Sequence, residues 1–118
     1  SGDMLLEALA ACAGVTLRAV ATAIDVDLRD ATVTAQGDLD FRGTLAVSKD
    51  APVGFREIRL HFALDTSADA EQVATLVRLT ERYCVVYQTL NGGVPLHTTH
   101  EIVTDSERRG RGEDAERK

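Results

Sequence analysis

Apolar residues crowd the first stretch of the chain. From Met4 to Ile24 it reads MLLEALAACAGVTLRAVATAI, without proline and with only Glu7 and Arg18 charged. At 3.6 residues per turn, Leu5, Leu9, Cys12, Thr16, Ala19 and Ala23 make one stripe. Leu6, Ala10, Ala13, Leu17, Val20 and Ile24 make a second beside it. This pattern predicts a long central helix, apolar almost all round, that must be covered on several sides. Ser1 or Asp3 would cap it, and Asp3 places a negative charge at the positive end of the helix dipole.

The period then changes. After a polar connection from Asp25 to Asp30, Val33, Ala35, Gly37, Leu39 and Phe41 alternate with Thr32, Thr34, Gln36, Asp38 and Asp40, which predicts a half-buried strand over 31–41. Thr44 to Val47 would continue the sheet. The loop residues Asp50, Pro52 and Gly54 follow. Glu57 to Leu64 alternates cleanly, with Ile58, Leu60, Phe62 and Leu64 on the inner side. Thr66 or Ser67 starts a second helical segment, with Asp69 and Glu71 in its first turn and Val73, Leu76, Val77 and Thr80 as its apolar stripe to about Tyr83. Cys84 to Leu90 is either the same helix after a kink or a second short one, because the Val85-Val86 pair is β-branched. Val94 to Val103 predicts a closing strand. Asp105 to Lys118 carries five acids and five bases and nothing apolar except Ala115, which predicts a charged disordered tail after a domain spanning 1–104. Helices and strands in this order make an α+β fold, with the long buried central helix and the second helical segment packed on an antiparallel sheet.

Composition narrows the function. A length of 118 residues implies one domain with a modest core, small for so long an apolar helix. The chain starts at Ser1, almost on the helix, so either an N-terminal part precedes it or a partner subunit covers the helix. The net charge of −6 argues against nucleic acid. Glu7 and Arg18 interrupt the one stretch of membrane-spanning length, so no membrane is expected. Two cysteines make no disulfide framework, and the expected compartment is the reducing cytoplasm.

Cys12 and Cys84 carry the candidate chemistry. One reading makes both small buried hydrophobes. The other makes them a thiol pair, in which one thiolate is oxidised to a sulfenic acid and condenses with the second thiol to a disulfide. That needs proximity and one lowered pKa. Cys12 is too deep in its own helix for the dipole to help, so the sequence predicts a basic neighbour. Arg18 lies off its face, and Arg82 is a minor candidate for tuning Cys84. Tyr83 and Tyr87 flank Cys84 and would pack around the thiols. His97 and His100, three apart on a strand, would point to opposite faces and do not predict a metal site. His61 would face solvent as a partner for Glu57 or Arg59.

Leu5-Leu6-Glu7-Ala8-Leu9-Ala10-Ala11-Cys12 with Thr16 resembles the central-helix motif of the OsmC/Ohr family. Glu81-Arg82-Tyr83-Cys84-Val85-Val86-Tyr87-Gln88-Thr89-Leu90 resembles that family's second cysteine motif. Asp50-Ala51-Pro52-Val53-Gly54-Phe55, leading into the strand from Glu57, fits between them. The resemblance covers residues 1–104. It implies an OsmC-like fold, an intertwined homodimer with the central helix in its core, and a cysteine-dependent peroxidase acting on organic hydroperoxides. Cys12 would be the peroxidatic cysteine and Cys84 the resolving one. An external dithiol of the lipoyl type would restore both, with no bound cofactor. The active branches also use an Arg from an N-terminal β-region that would precede Ser1, and a Glu ten residues before the first cysteine. Here Gly2 holds that position and Asp3 is the nearest acid, nine residues ahead, as in other OsmC-like branches; Asp3 is thus a third candidate catalytic residue. The alternative is a non-catalytic OsmC-like domain whose cysteines are structural or border a small apolar ligand at the dimer interface.

Overall fold

The computed structural model describes residues 1–47 and 49–103; the expected charged tail lies outside the described residues. Helix α1 spans Gly2–Ala23. Its buried residues are Leu9, Ala13, Leu17 and Ala21, a single line at a spacing of four. This line runs between the two predicted stripes and takes residues from both, with Ala21 added. The alanines on it let neighbouring elements approach closely. By length and composition alone α1 would suffice to cross a membrane despite Glu7 and Arg18, a property that buried core helices share. The helix ends where Asp25 takes a positive φ of 58°, and the Val26 amide then donates back to the Ala21 carbonyl at 2.8 Å.

Strand β1 covers Leu28–Asp38 and pairs antiparallel with β2, Glu57–Thr66. Val33 faces Phe62, Ala35 faces Leu60 and Gly37 faces Ile58. The inner and outer sides of both strands follow the predicted alternation. β1 begins three residues earlier than its alternation implied. The register slips at Arg29, and that residue's guanidinium meets Asp65 at 3.0 Å, so the ladder continues across the irregularity.

β1 also stops earlier than predicted, and 44–47 does not extend the sheet. The Asp40 carboxylate accepts from the Arg42 amide at 3.0 Å and caps a short helix, α2, over Phe41–Thr44. Phe41 is thereby turned out to solvent. Ala46 then adopts a positive φ of 58°, which no strand tolerates.

Helix α3 is Ala70–Tyr83. Its cap is Asp69, not Thr66 or Ser67. The Asp69 carboxylate accepts from the Gln72 amide at 2.8 Å, and the Gln72 side chain accepts from the Asp69 amide at 3.0 Å. Thr66 still belongs to β2, and its hydroxyl donates to the Asp27 carbonyl. Leu76 and Thr80 are fully buried against α1, and the Thr80 hydroxyl is satisfied by the Leu76 carbonyl at 2.7 Å. Leu17, Ala21, Val26 and Leu76 form the centre of the core, with Val33, Phe62 and Leu64 of the sheet packed on it.

Helix α4, Val85–Gly92, is a separate element. The predicted closing strand over 94–103 does not form. Val94, Leu96 and Ile102 are exposed, and the sheet among the described residues has two strands, β1 and β2. Alternation shows which way side chains point, but it does not by itself join a segment to a ladder.

Candidate dithiol site

Two helix packings make the site. Cys12 sits midway along α1, one turn from the buried Leu9. Cys84 sits where the chain breaks between α3 and α4. Its backbone is extended (φ −75°, ψ 113°), yet its amide donates to the Thr80 carbonyl at 2.9 Å and its carbonyl accepts from the Gln88 amide at 3.0 Å. It therefore ends one helix and begins the next. The Gln88 side chain donates to the Glu81 carbonyl at 2.8 Å and ties α4 to the last turn of α3.

This break aims the Cys84 thiol at α1. The two sulfurs are 3.3 Å apart, with the Cys84 S–H donating to Cys12. Both cysteines are free, so the sulfurs stand in hydrogen-bond contact, beyond the disulfide length of about 2.05 Å. Cys84 is 1% exposed and Cys12 is half-buried.

The environments of the two sulfurs differ in sign. Cys12 is held below the ordinary thiol value, chiefly by the backbone N–H of Val86. Burial opposes this; the Cys84 thiol, the Val85 amide and the Thr16 hydroxyl add to it. Cys84 is pushed up, first by burial and further by its neighbour Cys12. Among the described residues the lowering comes from the first turn of α4 and not from the basic neighbour that the sequence predicted. The amides of that turn have no intrahelical acceptor; the Val85 and Val86 amides act on Cys12, from another helix, and the Tyr87 and Val86 amides act on Cys84 at α4's own N-terminus.

The other candidates fall elsewhere. Asp3 is exposed in the first turn of α1. Nine residues of helix place it about 13 Å along the axis from Cys12 and on the opposite side. Arg82 stacks on the exposed Tyr83 ring at 5.5 Å. Tyr87 is half-buried and lines a cleft with Leu9, one turn from each cysteine. His61 lies on the outer face of β2 opposite Thr34, while Arg59 pairs with Asp38 and Glu57. His97 and His100 are exposed. Among the described residues no three His, Cys, Asp or Glu side chains converge as a metal site would require.

Sequence reasoning missed the Val85 and Val86 amides, although two β-branched residues directly after a cysteine were the available sign of a helix restart. It also passed over Arg56, which borders the cleft.

The architecture has known counterparts. An OsmC-like protein from Mycoplasma pneumoniae superposes with a TM-score of 0.67 at 24% identity, over 75% of this chain and 60% of that one. An OsmC-like hydroperoxide resistance protein from Jannaschia superposes with a TM-score of 0.58 at 18% identity, over 83% of this chain and 62% of that one. The chain therefore spans less than two thirds of the length of either. No curated protein matches it by sequence. A long cysteine-bearing helix packed on an antiparallel sheet, with the second cysteine's helices packed on that helix and not on the sheet as the sequence predicted, agrees with the family model for OsmC-like protein, which matches residues 1–99, and the chain belongs to the OsmC/Ohr family.

Proposed function

We propose that the chain is a thiol-dependent peroxidase of organic hydroperoxides, with Cys12 as the attacking residue and Cys84 as the resolving one. The observation that carries the reading is the 3.3 Å approach of two free sulfurs, Cys12 with its pKa lowered by the α4 amides and Cys84 with its pKa raised by burial. The Cys12 thiolate attacks the terminal peroxide oxygen and the O–O bond breaks. Cys12 becomes a sulfenic acid, and the alkoxide leaves as alcohol once protonated. The Cys84 sulfur then attacks the sulfenic sulfur, an S–S bond forms, and the hydroxyl leaves as water. The disulfide is reduced by thiol exchange with an external dithiol, for which a lipoyl-type group fits the proposal. The lowered pKa favours Cys12 as the attacking group, and burial of Cys84 disfavours its thiolate.

A homodimer and a cytoplasmic setting belong to the same proposal. Met4 and Val15 of α1 are 72% and 74% exposed, a large apolar surface for one helix, and a second copy would cover it. A reducing compartment keeps both thiols available.

The test is to mix reduced protein with tert-butyl hydroperoxide and count free thiols. Loss of both is expected in the wild type. Cys12→Ser abolishes the loss, and Cys84→Ser stops after one turnover at a sulfenic acid that dimedone traps. An unchanged thiol count in the wild type would leave the non-catalytic reading standing.

A further inference from the structure

Helices α3 and α4 follow one another with Cys84 alone between them. Had the chain run on as one helix, the Val85 amide would donate to the Glu81 carbonyl and the Val86 amide to the Arg82 carbonyl, each four residues back. The Cys84 amide still follows that rule and donates to the Thr80 carbonyl at 2.9 Å. At Glu81 a side chain takes over. The Gln88 side-chain amide donates to the Glu81 carbonyl at 2.8 Å. The Gln88 backbone amide meanwhile donates to the Cys84 carbonyl at 3.0 Å and starts the ladder of α4. One residue thus holds the chain on both sides of the break.

The consequence falls on Val85. Its N–H is released from the α3 ladder, and together with the Val86 N–H it acts on the Cys12 sulfur of α1. Helix α4 has eight residues, too few to hold this geometry by its own propensity, and it opens on two β-branched valines. The last carbonyls of α3 need donors from outside their own helix. Without the Gln88 side chain, the Glu81 carbonyl is left to water or to Val85, and closing on Val85 lengthens α3 by a residue. Gln88 is exposed, so core packing does not account for its contact with α3.

We propose that Gln88 is a positioning residue for the dithiol: its side-chain amide replaces the Val85 amide on the Glu81 carbonyl, keeps the helix broken at Cys84, and leaves the Val85 and Val86 amides to the Cys12 sulfur. Its effect on peroxide turnover rests on the peroxidase reading. Its effect on the thiol does not.

The test is Gln88→Met, which keeps the length of the side chain and removes its donor. The titratable groups around the site are retained: Cys84, Glu81 and Arg82 beside the break, Tyr87 on α4, and Arg56 and Glu57 at the cleft that Leu9 and Tyr87 line. A change at Cys12 therefore reports on the backbone amides. Iodoacetamide alkylation of the reduced full chain is followed against pH by mass mapping. Q88M raises the Cys12 midpoint and slows its alkylation at neutral pH about threefold or more, as loss of an amide hydrogen bond to a thiolate implies. Helix content by circular dichroism is held or raised, because Val85 rejoins the ladder. In the Val85→Pro background no amide at 85 can rejoin it, so adding Q88M changes the rate by less than about twofold. An unchanged Cys12 midpoint in Q88M, a fall in helix content, or a slowing as large in the proline background as in the wild type would each overturn the assignment. A merely structural Gln88 would lower the urea midpoint and leave the Cys12 pH profile in place. In turnover, thiol loss with tert-butyl hydroperoxide slows in Q88M by the same factor as alkylation. A wild type that loses no thiol would sink the peroxidase reading, while alkylation would still decide the role of Gln88.

Discussion

The sulfurs of Cys12 and Cys84 stand 3.3 Å apart, and Cys84 is the donor. The direction of that bond agrees with the opposite shifts of the two groups: Cys12 down, Cys84 up.

Alkylation will therefore separate the two cysteines by pH. Cys12 reacts with iodoacetamide with a midpoint below the ordinary thiol range, and Cys84 with one above it, as followed by mass mapping of each site. The sign for stability follows from linkage. The depressed Cys12 contributes stability that is full above its unfolded pKa and is lost as pH falls through its folded pKa. The raised Cys84 contributes stability that is full below its unfolded pKa and is lost as pH rises through its folded pKa. Reversal of the two midpoints would contradict the assigned roles.

Val85→Pro tests the α4 amides. Cys84 is already extended, as a residue before proline prefers, and Val85 is the first helical residue, where proline is tolerated. The substitution deletes one amide donor near Cys12 and leaves the more important Val86 amide. The Cys12 midpoint should rise modestly and its alkylation at neutral pH should slow a few-fold, while Val85→Ala changes neither. An unchanged midpoint in the proline variant would show that this amide does not act on the sulfur.

Leu76→Ala should cost about 2–5 kcal/mol, because Leu76 is fully buried in the core with Leu17, Ala21 and Val26. Urea unfolding measures it. A loss below about 1 kcal/mol would mean that α3 repacks freely, and the placement of Cys84 would then not depend on this contact.

Asp69→Ala should cost about 1 kcal/mol by the same measurement, since it removes the carboxylate that accepts from the Gln72 amide, while the backbone amide at 69 can still donate to Gln72. Ser67→Ala should be nearly neutral, because Ser67 does not cap α3.

In solution, sedimentation should give a dimer at micromolar concentration. Val15→Glu, on the exposed side of α1, should shift it to monomer without loss of helix content. A wild type that remains monomeric would remove the dimer from the proposal.

The sequence was most legible where geometry is local. The alternation over Glu57 to Leu64 identified both the strand and its inner face, and the apolar run before Ile24 identified α1. It was misleading at element ends. Asp40 and Asp69 capture backbone amides, and the helices begin there, but several nearby polar residues offered the same chemistry. The segment 94–103 shows the complementary failure: it was read as a closing strand, yet it joins no ladder and its apolar residues Val94, Leu96 and Ile102 are exposed.

What the sequence determined by itself is therefore the period of each element and the presence of two thiols, because local dihedrals decide where each side chain points. Only the tertiary structure decided that Cys12 meets Cys84, and that the amides of α4 rather than a basic side chain lower its pKa. Those facts depend on a chain break at Cys84 and on the packing of α3 and α4 against α1. Contacts between residues so distant along the chain arise from packing, which no local pattern records.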